Sequence, residues 1–273
     1  MTFCKLIYRD FRVGLFRWPY LITFFVAGIP LLEYVQTLRA YELSGSLGDC
    51  LIYLFRGVNV LALSAGNKQK LDIPVFWILL IIVCLFLHIG YFLGDMTASG
   101  QQILLRSQSR KNWMLSKCIW SIAGGILYYL LILLSAVIFC LITNQYLKVS
   151  MTESVSEIVL NMNTAPPTQV LFTVVLKPIL AFVVMNLLQM MLQVLSRPIA
   201  GFLICLILIL SSLYCPVMWF PTSGAIALRN IYLPMDSFTT WVPVISSLVT
   251  GTTSIFILVW RFSNMDLLPV EGN

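Results

Sequence analysis

Charge is what this sequence lacks. Of its 273 residues only 10% are Asp, Glu, Lys or Arg, where a soluble domain carries about a quarter. So little charge leaves most of the surface unfit for water, which excludes an ordinary soluble enzyme. Histidine is nearly missing, with His88 the single one. The seven cysteines, at 4, 50, 84, 118, 140, 205 and 215, never take C-x-x-C spacing, and metal-binding thiolates and imidazoles normally come clustered. Most lie in or beside apolar runs, where a free Cys acts as a small hydrophobe. The nucleotide loop G-x-x-x-x-G-K-[ST], the H-E-x-x-H helix and the G-x-S-x-G elbow are all absent. The nearest stretch to the first, "SAGNKQK" at 64–70, is too short. No catalytic residue, metal site or cofactor site is therefore expected in this chain. A membrane-embedded enzyme is disfavoured too, because no His or carboxylate cluster converges in the apolar runs.

What is present is long apolar sequence: 59% of residues are hydrophobic and the mean hydropathy is +0.92. About 20 apolar residues cross one bilayer as a helix. The pattern predicts an all-α polytopic membrane protein, one transmembrane domain over 1–273, with six transmembrane helices. These are expected at about 18–38, 74–94, 118–143, 169–195, 199–219 and 241–260. The turn "SRP" at 196–198 is so short that the fourth and fifth spans should form an antiparallel hairpin. Residues 39–73, 144–167 and 220–240 are polar or broken connections, and "CLIYLFRGVNVLAL" in the first reads as an interfacial or partly re-entrant piece.

Residues 1–17 predict an amphipathic interfacial helix. Phe3, Leu6, Ile7, Phe11, Gly14 and Leu15 share one face, and Lys5, Arg9 and Arg12 fall on the other. Charges scattered through "MTFCKLIYRDFRVGLFRW" argue against a cleavable signal, so the first span is expected to direct its own insertion. The net charge of +6 fits cations held on the cytoplasmic side rather than nucleic-acid binding. With six spans, Lys5, Arg9, Arg12, Arg17, Arg106, Arg110, Lys111, Lys117, Arg197 and Arg261 fall on one side. Arg39, Arg56, Lys68, Lys70, Lys148 and Arg229 fall on the other. That bias predicts cytoplasmic termini and a cytoplasmic 98–116 loop. Cys50 and Cys215 fall on the outer side and form a candidate disulfide.

Ionisable residues inside spans are functional candidates because burying charge in lipid is costly. Here they are Glu33, His88 and Lys177, with Asp95 at a span end. Glu33, Asp95 and Lys177 lie near enough to predicted ends to snorkel to water, and His88 can stay neutral and bond to a neighbouring helix. Met185, Met190 and Met191 would suit an adaptable apolar path or ordinary packing. The loop "GQQILLRSQSRKNWMLSK", 100–117, joins a break at Gly100, apolar knobs at 103–105 and four cations. Two readings stand: a short helix docking on a soluble partner, or an anchor under the inner leaflet.

The six-span layout, the basic amphipathic start, "GDCLIYLFRG" (48–57), "DIPVFWILL" (72–80) and "YFLGDMTASGQQILLRSQSRKNWMLSKCIW" (91–120) resemble the membrane subunits of ATP-binding cassette transporters, specifically the bacterial type-2, exporter-type permease family. The resemblance implies a permease in the bacterial cell membrane that pairs with a second permease subunit, as homodimer or heterodimer. Separate ATP-binding cassette ATPase subunits would carry ATP and Mg. It places Gly100, Gln101, Gln102, Ile103, Leu104, Leu105, Arg106 and Ser107 in a coupling helix that docks on the ATPase. It makes residues 2–16, with Lys5, Arg9 and Arg12, a connecting helix at the lipid surface. It also implies short re-entrant helices within 220–240 and export of peptide, lipid-linked or drug-like amphipathic cargo. An ion-gradient carrier and a non-transporting immunity or sensor subunit are the alternatives.

Overall fold

A computed structural model gives the architecture and describes residues 3–15, 18–57, 74–97, 109–160, 162–215, 219–231 and 238–264. The chain is all-helical, with no strand among the described residues. Helix α1 is Phe3–Asp10, continued by a wide turn over Phe11–Leu15. Helix α2 (Ile22–Ala40), short α3 (Leu47–Leu54), α4 (Val75–Thr97) and α5 (Arg110–Ile142) follow. Helix α6 is a rod over Pro167–Leu195, and α7 is Pro198–Tyr214. A short turn, Pro221–Ala225, leads into α8 (Ala227–Ile231), and α9 is Phe238–Asn264.

Four helices are long and apolar enough to cross a membrane: Pro19–Ala40, Arg110–Ile142, Pro167–Leu195 and Thr240–Asn264. Two further apolar stretches, Val75–Ile89 and Pro198–Tyr214, are shorter. Exposure follows the same logic. On α5, Ile126, Leu130, Leu134 and Ile138 are exposed at successive turns, while Tyr128, Tyr129, Ile132 and Ala136 are buried. A helix with an apolar outer stripe of that length is built for lipid contact, since water would penalise it. The 33 residues of α5 span about 50 Å at 1.5 Å each, well beyond a hydrocarbon core of about 30 Å. Its first turns, which the sequence pattern assigned to a loop before 118, are therefore helix that reaches past the apolar layer.

Helix α6 is the axis, with 61% of its apolar window buried against 39–44% for the other three long helices. Close approach is written into α5 by Gly124 and Gly125. A Cβ at Gly125 would meet the Val183 backbone of α6 at 3.0 Å, and one at Gly124 would overlap His88 of α4. Pro178 has no N–H for the carbonyl of Val174 four residues back. The Tyr129 hydroxyl donates to that oxygen at 2.6 Å.

Residues 221–231 form a short turn and helix packed against the bundle, and several of their backbone polar groups are met by protein. Ala227 N–H donates to Phe55 O at 2.8 Å and Leu228 N–H to Arg56 O at 3.1 Å. Trp77 Nε1 donates to Ala225 O at 2.9 Å, and Asn230 Nδ2 donates to Ile226 O at 2.7 Å.

Overpacking a helix contact typically costs about 1–3 kcal/mol. Gly125→Val should accordingly lower the thermal midpoint of the detergent-solubilised chain. Gly94→Ala, where nothing lies within 4 Å of an added Cβ, should leave it equal or higher. Equal midpoints for both variants would remove the close-contact account of α5 and α6.

Candidate functional site

Four charges meet where α1, the end of α4 and the start of α5 converge. Lys117 Nζ donates to Asp10 Oδ1 at 2.7 Å and to Asp95 Oδ2. Arg9 binds Asp95 through both terminal nitrogens, with Nη1 at 3.2 Å from Oδ2, and its Nη1 is 3.7 Å from Asp10 Oδ1. The Ser116 hydroxyl donates to Asp10 Oδ2. Lys117 has no exposed side-chain surface, and Asp10 and Asp95 are nearly as enclosed. Such a set survives burial only because each charge has partners of opposite sign.

Local sequence explains the placement. Asp10 ends α1 on the same side as the buried Leu6, so the helix meets the bundle with a carboxylate as well as apolar side chains. Gly14 lies against the Trp120 indole so closely that any side chain there would overlap it. Leu6 joins Trp113, Met114, Val194 and Phe262 in one apolar cluster, with the Trp113 and Phe262 rings stacked 4.9 Å apart. The N-terminal helix and the end of α9 thus share one end of the bundle.

The expectation for Asp95 is corrected here. It does not snorkel to water but is enclosed and ion-paired. Lys117 is likewise no loop cation; it is a fully buried residue of α5. Burial by itself would raise the Asp95 carboxyl, but the Lys117 ammonium and Arg9 guanidinium outweigh it and hold it below the usual carboxylate range.

The other candidates are distributed rather than gathered. Lys5 and Arg12 are exposed and, with Tyr8, Arg9 and Val13, border a shallow depression of about 420 Å³. Glu33 is exposed. His88 is buried, with Nδ1 2.8 Å from Cys84 O and Nε2 3.2 Å from Asn186 Nδ2 of α6. The second contact joins it to a neighbouring helix. Lys177 is buried rather than snorkelling, and its ammonium donates to Asn230 Oδ1 at 2.6 Å. Gly100, Gln101, Gln102, Ile103, Leu104, Leu105, Arg106 and Ser107 lie outside the described residues. Cys215 is exposed whereas Cys50 is buried, and both are free cysteines.

Sequence reasoning passed over Asp10, Ser116 and Lys117 as site residues, and Asn186 and Asn230 as partners. One signal was available: Asp95 and Lys117 bracket the 98–108 segment with opposite charges, next to an amphipathic helix ending in Arg9-Asp10.

Comparison with known proteins gives one family. The model of "Protein of unknown function (DUF2705)" matches residues 52–268, and the chain belongs to that family. No curated protein and no solved structure matches it.

Removing one member of a buried ion pair typically costs about 3–5 kcal/mol. Lys117→Met, which takes the buried ammonium away from Asp10 and Asp95, should destabilise the fold on that scale by thermal melting. The sign with pH is fixed by the lowered Asp95 value. Its stabilising contribution is complete above the unfolded carboxylate range, about 4, and is lost as pH falls through the folded value. Melting scanned downward from pH 6 should therefore show a steeper fall for the native chain than for Asp95→Asn. Parallel curves would remove the clamp from the account of stability.

Proposed function

We propose that this member of the DUF2705 family is the membrane-spanning permease subunit of an ATP-binding cassette transporter, an exporter of peptide, lipid-linked or drug-like amphipathic cargo. In this reading α2, α4, α5, α6, α7 and α9 are its six crossings and both termini are cytoplasmic in a bacterial cell membrane. The chain does no covalent chemistry. Separate ATPase subunits bind ATP and Mg, and a second permease subunit completes the pathway.

The observation that carries the reading is the four-charge clamp. Segment 98–108 leaves from the end of α4 and returns at the start of α5. Asp95 and Lys117, which flank it, are ion-paired to each other and to Arg9 and Asp10 of α1. Helix ends tied to each other and to α1 by buried ion pairs are held to move as one unit. That is what a force-transmitting contact with a soluble motor needs. Buried ion pairs break at a cost of several kcal/mol, so displacement of the segment would pass into α4, α5 and α1 together. Exposed Lys5 and Arg12 on the far side of α1 leave that helix with a cationic face for lipid phosphates or an acidic partner.

The gradient-driven alternative needs a group that takes up and releases protons along a path. His88 is the natural candidate, yet both its ring nitrogens sit against fixed partners, Cys84 O and Asn186. Those contacts support a packing role.

Leu104→Asp combined with Arg106→Glu should leave a folded, assembled permease but abolish substrate stimulation of ATP hydrolysis in the reconstituted complex. Undiminished stimulation would remove the coupling assignment. Mild-detergent isolation should bring down a stoichiometric ATP-binding subunit. Recovery of the chain by itself, under conditions that keep a control transporter intact, would overturn the reading.

A further inference from the structure

The side of the N-terminal segment turned away from the bundle carries positive charge that the fold leaves unbalanced. Lys5 and Arg12 are exposed, and neither enters an ion pair among the described residues. They stand at i and i+7 with Arg9 between them at i+4, the spacing that puts side chains on one helical face. The three border the depression of about 420 Å³ together with Tyr8 and Val13, and no carboxylate is among the described residues that line it. Asp10, the single acid within 1–17, is turned the other way, into the bundle against Lys117. Arg9 belongs to both sides: it holds Asp95 through both terminal nitrogens and still reaches the rim of the depression.

The fold also sets the depth of this patch. Leu15 packs with Tyr20 and Trp120 in a small buried cluster, and Tyr20 lies at the start of the Pro19–Ala40 span. The N-terminal segment therefore joins the bundle where the first crossing begins, which is headgroup level. The side chains beside the cations suit that level. Tyr8 is 67% exposed and Val13 45%, and a tyrosine, apolar in body and polar at its tip, favours the membrane interface. A lining that mixes cations with apolar surface matches a lipid phosphate, whose negative charge adjoins glycerol and acyl carbon. An acidic protein surface would answer the cations but leave Tyr8 and Val13 unmatched.

We propose that this depression is a binding site for an anionic phospholipid, with Lys5 and Arg12 on the phosphate and Arg9 joining the site to the four-charge clamp. Arg12 offers a fork of parallel donors to phosphate oxygens and Lys5 a point charge. Bound lipid would hold α1 from its outer side as Asp95 and Lys117 hold it from within. The inference deepens the reading of α1 given above and rests on it only for placing that helix at a membrane surface. Its readout involves no ATPase, so it and the coupling assignment fail separately.

The test uses the full-length chain in phosphatidylcholine nanodiscs doped with phosphatidylglycerol that carries a photoreactive diazirine in its headgroup. Cross-linked peptides are mapped by mass spectrometry after irradiation. Cross-links should concentrate in residues 3–15 and be displaced by excess unlabelled phosphatidylglycerol but not by inorganic phosphate. Lys5→Gln with Arg12→Gln, which breaks no ion pair, should lower cross-linking there about fivefold or more, the order expected for each cation facing an anionic lipid surface. Lys5→Arg with Arg12→Lys should cross-link as the native chain does. Equal cross-linking of 3–15 by a phosphatidylcholine probe, or undiminished cross-linking in the double Gln variant, would overturn the proposal. Displacement by inorganic phosphate would also overturn it, leaving a site for free anions in place of lipid.

Discussion

The burial of the Lys117 ammonium sets the terms for one whole end of this molecule. A charged amine without exposed surface is tolerated only where anions are held against it, and Asp10 and Asp95 do so from two other helices. Neither anion could sit there without its own partners, and Arg9 and Ser116 complete the set. The constraint is reciprocal: α1 cannot leave the bundle without taking Asp10 from Lys117 and Arg9 from Asp95, and α4 cannot shift without taking Asp95 from both cations. Apolar contacts around Leu6, Trp113 and Phe262 add burial energy, but they are non-directional and permit sliding. The ion pairs fix register. That difference lets a short interfacial helix become a structural member of the bundle instead of a float on the lipid.

At the other end, hydrogen bonds replace ion pairs as the organising force. Helix α8 and the turn before it carry peptide groups that water does not reach, and each needs a partner. Side chains of Trp77, Gln169 and Asn230 supply several of them, and the backbone at Phe55 and Arg56 supplies others. Asn230 joins this lattice to Lys177, and Arg229 Nη2 donates to the last carbonyls of α7 at Ser212 and Leu213. A cation at a helix C-terminus is favourably placed with respect to the helix dipole, which accounts for a buried Arg at this position. The two ends therefore solve the same problem, polar groups out of water, by different chemistry. The clamp concentrates charge in one knot, while the 221–231 segment distributes many neutral bonds.

Much of the fold was legible because lipid imposes a simple code. Low charge and long apolar runs located the helices that the structure describes at 19–40, 167–195 and 240–264, within a few residues of the expected spans. The N-terminal amphipathic helix was legible as well. The start of α5 was not, because Arg110, Lys111 and Lys117 read as loop residues when solvation is the only criterion. The same error hid the site: a charged residue near a span end looks free to snorkel, and nothing local in "LGDM" or "LSKC" says that Asp95 and Lys117 meet. Lys177 was misjudged for the same reason, since its partner Asn230 lies 53 positions away.

By itself the sequence determined an all-helical chain unable to live in water, the approximate position of its long apolar helices, and the side of α1 that meets the bundle. Those properties follow from local periodicity and from the sum of transfer energies, which need no partner to be evaluated. Tertiary structure alone decided which polar residues are enclosed and with whom. It brought Asp10 to Lys117, His88 to Asn186 and Lys177 to Asn230, pairs of high sequence separation. The reason is physical: whether a charge or thiol is tolerable in a low-dielectric interior depends on the atoms within a few ångströms of it, and those are chosen by helix packing.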